Sequence, residues 1–470
     1  MEHDSTARID AALRAWIAAA PPGARLPSSR ALVAQHGASP VTVHKAMRRL
    51  AAAGLIESRP GVGTFVRALR SPRPADHGWQ TAALGTPPAR VSVLSSTQRA
   101  VAPDAIGLHS GYPASDLLPE RLVRTALVRA SRSRAATTRS PAAGMPELQE
   151  WFASELAVTA PAGVAAPSPR DVVITAGSQG GLSSIFRGLV GPGQPLLIES
   201  PSYWGAMLAA EQTGVVLVPV SAGADGPDPD EVDRALERSG ARVFYAQPAF
   251  ANPTGASWSA EKAHAILEVV RRRGVFLVED DWAHDLAIDT DPQPLAARDD
   301  DGHVIYLRSL TKSVSPAVRV AALVARGPAR ERILTDRAAE SMYVSGVLQA
   351  AALDVVTQPA WRTHLRGVRQ QLRARRDLLL DSIRQYAPDA RIDITPGGGL
   401  NLWARLPDGT DTALLVREAE TRGLIIAAGG EWFPAEPPGP YARLNYASED
   451  PSRFPEAARI LGEALEHVMS

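Results

Sequence analysis

The sequence predicts an α/β protein with a small, mostly helical unit at its N-terminus and a much larger unit of alternating strands and helices. Within residues 6–54, apolar residues recur at helical spacing in three segments, and strand-like segments follow at 55–57 and 64–66. Farther along, short apolar runs lead into small-residue turns and helical patterns, as in residues 172–190. A chain of 470 residues is too long for one ordinary core, so two or three domains are expected.

The composition is that of a globular protein without cysteine chemistry. Hydrophobic residues make up 45% and charged residues 21% of the chain, which argues against gross disorder. The absence of cysteine excludes disulfides, thiolate metal sites and cysteine nucleophiles, and no metal site is expected. No run of about 20 apolar residues could span a bilayer, and Arg8, Asp10 and Arg14 interrupt the first apolar stretch. We therefore expect a cytoplasmic protein with neither a signal peptide nor a membrane partner.

Charge is balanced over the whole chain but not along it. The chain has 50 acidic and 50 basic residues, yet residues 1–68 hold nine Lys or Arg against four Asp or Glu. The first 68 residues therefore carry a net charge of +5, and the remainder carries −5. A basic segment of this kind at one end indicates nucleic-acid binding.

The N-terminal unit is predicted to be three helices followed by a β-hairpin. Pro21 and Pro22 end the first helix, Ser28 or Ser29 caps the second, and Ser39 caps the third, which runs to Gly54. A basic, glycine-rich tip at 58–63 joins the two strands. Three helices and a hairpin in about 65 residues predict a winged helix-turn-helix, with the third helix in the major groove of DNA. A small three-helix domain with a solvated basic face is the alternative.

Polar and basic residues around the third helix and the hairpin are the candidate contacts to double-stranded DNA. Buried positions of that helix are expected at Val43, Met47 and Leu50, which leaves the residues between them outward. The candidate DNA-binding residues are Arg30, Ser39, Thr42, His44, Lys45, Arg48 and Arg59.

Lysine is rare in this chain, which holds only Lys45, Lys262 and Lys312. Arginine supplies almost all positive charge, but it can neither lose its proton nor form a Schiff base, whereas a desolvated lysine does both. Lys262 lies on a polar helix and reads as a surface residue. Lys312 instead follows an apolar run at 304–307 and precedes Arg319. Hydroxyl groups surround it, at Ser309, Thr311, Ser313 and Ser315. This setting favours a covalent anchor for a phosphate-bearing aldehyde, pyridoxal 5'-phosphate.

The motif S-x-x-K at 309–312, with an arginine seven residues later, resembles the lysine segment of fold-type I pyridoxal-phosphate aminotransferases. Residues 25–66 are similar nearly throughout to the GntR-type DNA-binding domain. Taken over essentially all 470 residues, the chain resembles the MocR subgroup of GntR-type bacterial transcription regulators. One departure is Pro40, because the family usually has arginine there, so the operator sequence does not carry over.

The resemblance implies roles for residues around the cofactor phosphate and aldehyde. Lys312 would form the Schiff base, and Ser309 and Arg319 would hold the phosphate. The turn TAGSQ, between a strand and a helix, would complete the phosphate site through Ser178 and Gln179, because a helix N-terminus attracts anions.

The resemblance also implies roles around the cofactor ring and the substrate. Tyr203 in ESPSY would stack on the ring, although a core aromatic fits its spacing nearly as well. Asn252 in NPTG would bond the phenolic oxygen, and Asp280 in EDDW would pair with the pyridine nitrogen. Trp282 stands where the family usually has a tyrosine that donates to the phenolic oxygen. Arg443 in RLNYA would bind the substrate carboxylate, and a structural salt bridge is the alternative.

These observations give a domain plan. Residues 1–68 form the winged helix-turn-helix, and the proline-rich segment 69–95 forms a linker. Residues 96–470 form a fold-type I aminotransferase-like effector domain, with a mostly parallel sheet between helices and a smaller α+β C-terminal domain. The large domain is expected at about 140–350, and the small domain at about 351–470 together with 96–139.

We expect a regulator that binds operator DNA and senses pyridoxal 5'-phosphate, an amine or an amino acid through the Lys312 Schiff base. The resemblance implies a homodimer, domain-swapped head to tail. The alternative is a working aminotransferase that carries a DNA-binding module, and a third possibility is a vestigial pocket. Trp282, and Arg139 near the place of the usual neighbour-subunit tyrosine, favour at most weak aminotransferase activity.

Overall fold

The computed structural model describes residues 2–67, 96–99, 101, 102 and 104–470. The chain divides into two compact units, residues 1–88 and 89–470. The predicted linker at 69–95 lies outside the described residues. Within the described ranges, no helix combines the length and the apolar character needed to cross a membrane.

The first unit has the predicted three helices and hairpin. The helices are α1 (Glu2–Ala19), α2 (Ser29–His36) and α3 (Pro40–Ala52), and the antiparallel strands are β1 (Ile56–Arg59) and β2 (Gly63–Val66). The helix ends follow from local chemistry. The Ser28 hydroxyl accepts from the Ala31 N–H, and Gly37 ends α2 in the left-handed region at φ 56°.

The second unit is built on a mostly parallel sheet of eight strands, in the order β4-β11-β10-β9-β8-β5-β6-β7. Strands β10, β9, β8, β5 and β6 are parallel neighbours, whereas β11, β4 and β7 pair antiparallel. The strands are β4 (Val172–Thr175), β5 (Pro195–Ser200), β6 (Val216–Gly223), β7 (Gly226–Pro227), β8 (Val243–Ala246), β9 (Phe276–Asp281), β10 (Val304–Ser309) and β11 (Ala321–Val324).

A smaller antiparallel sheet forms the C-terminal part, in the order β12-β13-β16-β15. Its strands are β12 (Arg391–Ile392), β13 (Asn401–Arg405), β15 (Ala427–Ala428) and β16 (Tyr441–Asn445). A separate parallel pair joins β3 (Ile106–Gly107) to β14 (Leu424–Ile425). This layout is the expected α/β class.

Eleven α-helices of the second unit cover these sheets in the described part of the chain. They are α4 (Glu120–Arg132), α5 (Pro146–Thr159), α6 (Ser178–Ile185), α7 (Trp204–Thr213), α8 (Pro229–Ser239), α9 (Ala260–Arg273), α10 (Gly327–Ser341), α11 (Gly346–Thr357), α12 (Pro359–Tyr386), α13 (Thr412–Thr421) and α14 (Phe454–Met469).

Packing corrects the boundary expected between the large and small domains. Helix α4 places Val123, Ala126 and Ala130 in the core of the large sheet, although residues 96–139 were expected in the small domain. The β3 segment does pack with the small domain, through Ile106 and Leu108.

Helix α12 links the two cores. Trp361 near its start lies in the large core, and the apolar residues from Val368 onward lie in the small core. The boundary therefore falls inside one long helix, because its apolar stripe is long enough to serve both cores in turn.

Candidate functional site

The pocket that unites the predicted site residues has a volume of about 240 Å³. Several of its side chains follow the C-terminal ends of neighbouring parallel strands, where α/β sheets usually bind ligands. All ten predicted cofactor and effector residues line it, namely Ser178, Gln179, Tyr203, Asn252, Asp280, Trp282, Ser309, Lys312, Arg319 and Arg443. Residues separated by up to 265 positions in sequence therefore share one cavity.

Lys312 lies inside this pocket with its amine against an aromatic ring. Its Nζ is 3.1 Å from the centroid of Tyr112. Burial, aided by the positive charges of Arg443 and Arg319, holds the pKa of Lys312 well below its usual value. This shift favours the neutral amine, which is the nucleophilic form.

A buried ion pair fixes the turn that carries Lys312. Arg308 donates from Nη2 to Asp285 Oδ1 at 2.8 Å, and the Ser313 hydroxyl donates to Asp285 Oδ2 at 2.7 Å. The Arg308 guanidinium also lies 5.1 Å from the ring centroid of Trp151. Because Ser313 directly follows Lys312, this network limits the positions that the amine can take.

Asp280 offers the pocket an oxygen without a partner. Its Oδ2 accepts from the Tyr245 hydroxyl at 2.7 Å and from Gln247 Nε2 at 3.0 Å. Its Oδ1 is buried and has no hydrogen-bond partner among the described residues. Burial raises the pKa of Asp280 to about 6. A positively charged N–H donor in the pocket would satisfy Oδ1 and return this carboxyl to its ionised form.

The opposite end of the pocket is suited to an anion. The Arg319 guanidinium lies so close to Gly177 that a Cβ there would be 3.0 Å from Nη2, and Gly177 itself has φ 81°. The neighbouring Ser178 hydroxyl is buried without a partner in the described structure. Ser178 also begins α6, whose first-turn N–H groups lack partners within the helix.

Gln179 lines the pocket and also bonds to neighbouring groups of the protein. Its Nε2 donates to the Gly205 carbonyl at 2.7 Å, and its Oε1 accepts from the Tyr203 hydroxyl at 3.4 Å. One Nε2 hydrogen and Oε1 are thus hydrogen-bonded within the protein, which leaves the second Nε2 hydrogen and the backbone N–H for a phosphate. Tyr203 lines the pocket, as its predicted stacking role requires.

Arg443 connects the small domain to the large one at the pocket. It donates from Nη1 to Asn252 Oδ1 at 3.2 Å and from Nη2 to the His109 carbonyl at 2.6 Å, and it lies over Trp432. Its Nε has no partner among the described residues. Burial lowers the pKa of Arg443 to about 10, so it remains charged at neutral pH.

The indole N–H of Trp282 does not face the position expected for it. Trp282 Nε1 donates to the Phe250 carbonyl at 3.0 Å. An indole has a single N–H donor, so Trp282 has none left for a cofactor oxygen. The ring also packs against the small domain, because a Cβ at Gly399 would lie 3.4 Å from Trp282 Cζ2.

Sequence reasoning missed other residues that shape the pocket. Gln247 donates to Asp280 and accepts from the backbone N–H of Asn252, and its place directly after a buried strand was the available signal. The contact of the Tyr112 ring with the Lys312 amine was not expected either. Arg139 is exposed and does not line the pocket.

The outer face of α3 differs from the predicted DNA-contact set. Thr42 is buried, and its hydroxyl shares a 2.8 Å hydrogen bond with the Ser39 hydroxyl. The Ser39 hydroxyl also accepts from the Thr42 N–H at 3.1 Å. These two residues therefore stabilise the start of α3, and Thr42, being buried, is not available for the DNA contact expected of it.

The remaining candidates for DNA contact are exposed. Arg30, His44, Lys45 and Arg48 present their side chains to solvent. Arg59 is exposed as well, but Glu57 accepts from its Nε at 3.0 Å and its guanidinium lies over Phe65.

Two protein families match the two units of the chain. The model of aminotransferase class I and II matches residues 103–461, which is most of the chain. The chain belongs to this family. The model of the bacterial regulatory proteins of the gntR family matches residues 5–66. The protein therefore joins a GntR-type DNA-binding domain to an aminotransferase-like domain.

Relatives of both kinds are similar to this chain. The HTH-type transcriptional regulator YdfD of Bacillus subtilis is 29% identical over 96% of this chain and 93% of its own. The probable rhizopine catabolism regulatory protein MocR of Rhizobium meliloti is 28% identical, over 94% and 89%. The 2-aminoadipate transaminase of Thermus thermophilus is 29% identical, over 80% and 94%. The structure of LysN from that organism, complexed with N-(5'-phosphopyridoxyl)-L-leucine, matches with TM-score 0.71, 28% identity and coverage of 80% and 96%.

The family implies pyridoxal 5'-phosphate as the cofactor, and the aminotransferase pocket fits it. The Asp280 Oδ1 without a partner suits a pyridinium N–H, and the Ser178 hydroxyl and Arg319 suit a phosphate. Lys312 supplies the amine for attachment. These residues are the ones that would hold the group.

Proposed function

We propose that the protein is a transcription regulator that binds operator DNA through residues 1–68 and senses a small ligand in the aminotransferase pocket. Regulators such as YdfD and MocR match nearly the whole chain, DNA-binding unit included. The ligand is pyridoxal 5'-phosphate itself, or an amine or amino acid that reacts with it. The main support for this proposal is that one chain contains both a GntR domain and an aminotransferase-like domain with a pocket that fits the cofactor.

Three residues prepare the pocket for an amino acid. Pyridoxal 5'-phosphate supplies an aldehyde that primary amines attack and a ring that withdraws electrons. Lys312, with its lowered pKa, is a nucleophilic amine that an incoming amine can replace. Arg443 is charged and has an Nε without a partner in the described structure, which suits a carboxylate. Asn252, held by Arg443, borders the same space.

The pocket is better suited to sensing than to rapid turnover. Turnover requires a proton transfer between precisely placed groups, and small misplacements cost large factors in rate. The indole N–H of Trp282 is already bonded to the Phe250 carbonyl, so it provides no donor that fixes the cofactor ring. Amino acid addition should therefore change the visible spectrum and DNA affinity quickly, while transamination stays slow.

A working aminotransferase remains the second candidate, because the similar 2-aminoadipate transaminase is an enzyme. Measuring the turnover of a panel of amino acids with a keto acid acceptor distinguishes a sensor from an aminotransferase. Rates of about 1–1000 per second would establish the enzyme instead of the sensor. Spectral and DNA-affinity changes without such rates would support the sensor.

We further propose that the regulator acts in the cytoplasm as a homodimer, domain-swapped head to tail. Met342 and Tyr343 support an interface, because they are large apolar side chains exposed by 69% and 40% next to each other. Sedimentation equilibrium gives the mass in solution. A monomer at micromolar concentration would contradict this part of the proposal.

The DNA-binding assignment is tested by comparing the full chain with a fragment of residues 96–470. Both would be titrated with an operator obtained by selection from random DNA. The full chain should bind it with an affinity that falls steeply with salt. Equal binding by the fragment would place DNA recognition outside the GntR domain and overturn the assignment.

A further inference from the structure

The outward face of α3 in the GntR domain combines cationic side chains with one apolar side chain at the start. Lys45 and Arg48 are exposed along the helix. Val41, the second residue of the helix, is 72% exposed. In a helix-turn-helix protein, the N-terminal residues of the reading helix contact the base edges. Val41 therefore occupies a position where DNA sequence is read.

The polar side chains of the first turn of α3 are engaged in hydrogen bonds within the turn. The Ser39 and Thr42 hydroxyls bond to each other, the Ser39 hydroxyl also accepts from the Thr42 N–H, and Thr42 is buried. Pro40 has neither a polar side chain nor a backbone N–H. Among residues 39–42, Val41 is thus the side chain that presents a large surface to a base, and that surface is apolar.

We propose that Val41 is a specificity-determining residue that reads the C5 methyl group of a thymine in the major groove of the operator. Thymine is the one DNA base with a methyl group in the major groove, and apolar side chains contact it there. A base that presented a hydrogen-bond donor or acceptor to Val41 would lose its bond to water without gaining a partner. This cost disfavours the other bases. This inference rests on the proposed DNA-binding function.

The experiment removes single methyl groups from the DNA and from the protein. The operator is selected from random DNA with the full-length protein, and its thymines are replaced one at a time by deoxyuridine, which lacks only the methyl. Affinities are measured for the wild type, for Val41→Ala and for Val158→Ala. Val158 is the control because it is a valine, 84% exposed, on α5 of the aminotransferase-like unit.

One thymine in each half-site should depend on Val41. Burial of one methyl group is worth about fourfold in affinity, so deoxyuridine there should weaken the wild type and Val158→Ala by about fourfold. Val41→Ala should bind the thymine and deoxyuridine operators within a factor of about 1.5 of each other, which signals the lost contact.

Two results would overturn the inference. One is a Val41→Ala protein that loses as much affinity as the wild type at every deoxyuridine position. The other is a wild type that is indifferent to every thymine methyl, which means that Val41 is a solvated side chain. Failure to select any DNA would instead overturn the proposed DNA-binding function, and the inference with it. Unchanged circular dichroism of Val41→Ala verifies that its fold is intact.

Discussion

The two units of the chain use predicted polar residues in opposite ways. In the GntR domain, Ser39 and Thr42 were predicted to contact DNA, and their hydroxyls bond to each other at the start of α3. In the aminotransferase pocket, Ser178 and Asp280 keep a buried oxygen without a partner among the described residues. A buried polar atom without a partner costs free energy, so such an atom on a residue that lines a pocket supports a ligand there. Substitutions at these residues and at their bonded neighbours test this contrast.

Lys312→Ala should have the largest effect, because it removes the amine that attaches the cofactor. The wild type loaded with pyridoxal 5'-phosphate should be yellow and should retain the cofactor covalently after borohydride reduction. Lys312→Ala should retain none, as measured by mass spectrometry of the denatured chain.

Lys262→Ala is the matched control, since Lys262 bonds Asp225 at 2.8 Å and is not among the pocket residues. An equal borohydride-fixed yield in Lys312→Ala would show that another amine is the anchor.

Asp285→Ala tests a polar group of the pocket domain that is fully hydrogen-bonded. The change leaves Arg308 buried without its 2.8 Å partner, and loss of one member of a buried pair costs about 3–5 kcal/mol. Denaturant unfolding should show this loss, whereas Asp354→Ala, which breaks an exposed pair with Arg129, should cost less than about 1 kcal/mol. Similar losses in both variants would mean that the Arg308–Asp285 pair does not hold the lysine turn.

Asp280→Asn tests how much folding stability is lost because one oxygen of the buried Asp280 carboxylate has no partner. The test is the pH dependence of the stability. The pKa of Asp280 rises from 3.8 to about 6 on folding, so the folded state holds the proton more tightly than the unfolded state. The stability that the folded state gains from this tighter proton binding is present below pH 3.8. It is lost as the pH rises through 6, by up to about 3 kcal/mol.

Without cofactor, Asp280→Asn should therefore gain stability relative to the wild type between pH 4 and pH 7, as measured by urea unfolding. Addition of pyridoxal 5'-phosphate should raise the stability of the wild type more than that of the variant, because only the carboxylate pairs with a pyridinium. If the difference in unfolding free energy between the wild type and the variant did not change with pH, the raised pKa of Asp280 would be contradicted.

Much of the pocket could be predicted from the sequence because its residues belong to short motifs at strand ends. Asn252 follows the apolar strand β8, and Asp280 lies near the end of the apolar strand β9. The bonds that decide what each side chain can do were not predictable in the same way. Trp282 bonds a carbonyl 32 residues earlier, and Arg308 pairs with an acid 23 residues earlier. Such partners depend on tertiary packing, which local patterns do not specify.

The fold shows the same division between local and long-range information. The starts of α2 and α3 follow from capping by Ser28 and Ser39, so they could be predicted directly from the sequence. The core that α4 joins could not be predicted, because α4 packs on α11, which lies more than 200 residues later in the chain. The helical spacing of apolar residues identifies the buried face of a helix but not the domain that covers it.

Ser39→Ala should have the smallest effect, and it tests the DNA-binding side of the contrast. If Ser39 caps α3, its loss removes the acceptor for the Thr42 N–H and should lower the stability of the GntR domain by about 1 kcal/mol. The salt dependence of DNA affinity should stay as in the wild type, because no phosphate contact is lost. Arg48→Ala provides the opposite pattern, with unchanged stability and a salt dependence reduced by about one phosphate contact. If Ser39→Ala instead reduced the salt dependence at unchanged stability, Ser39 would be a DNA contact after all.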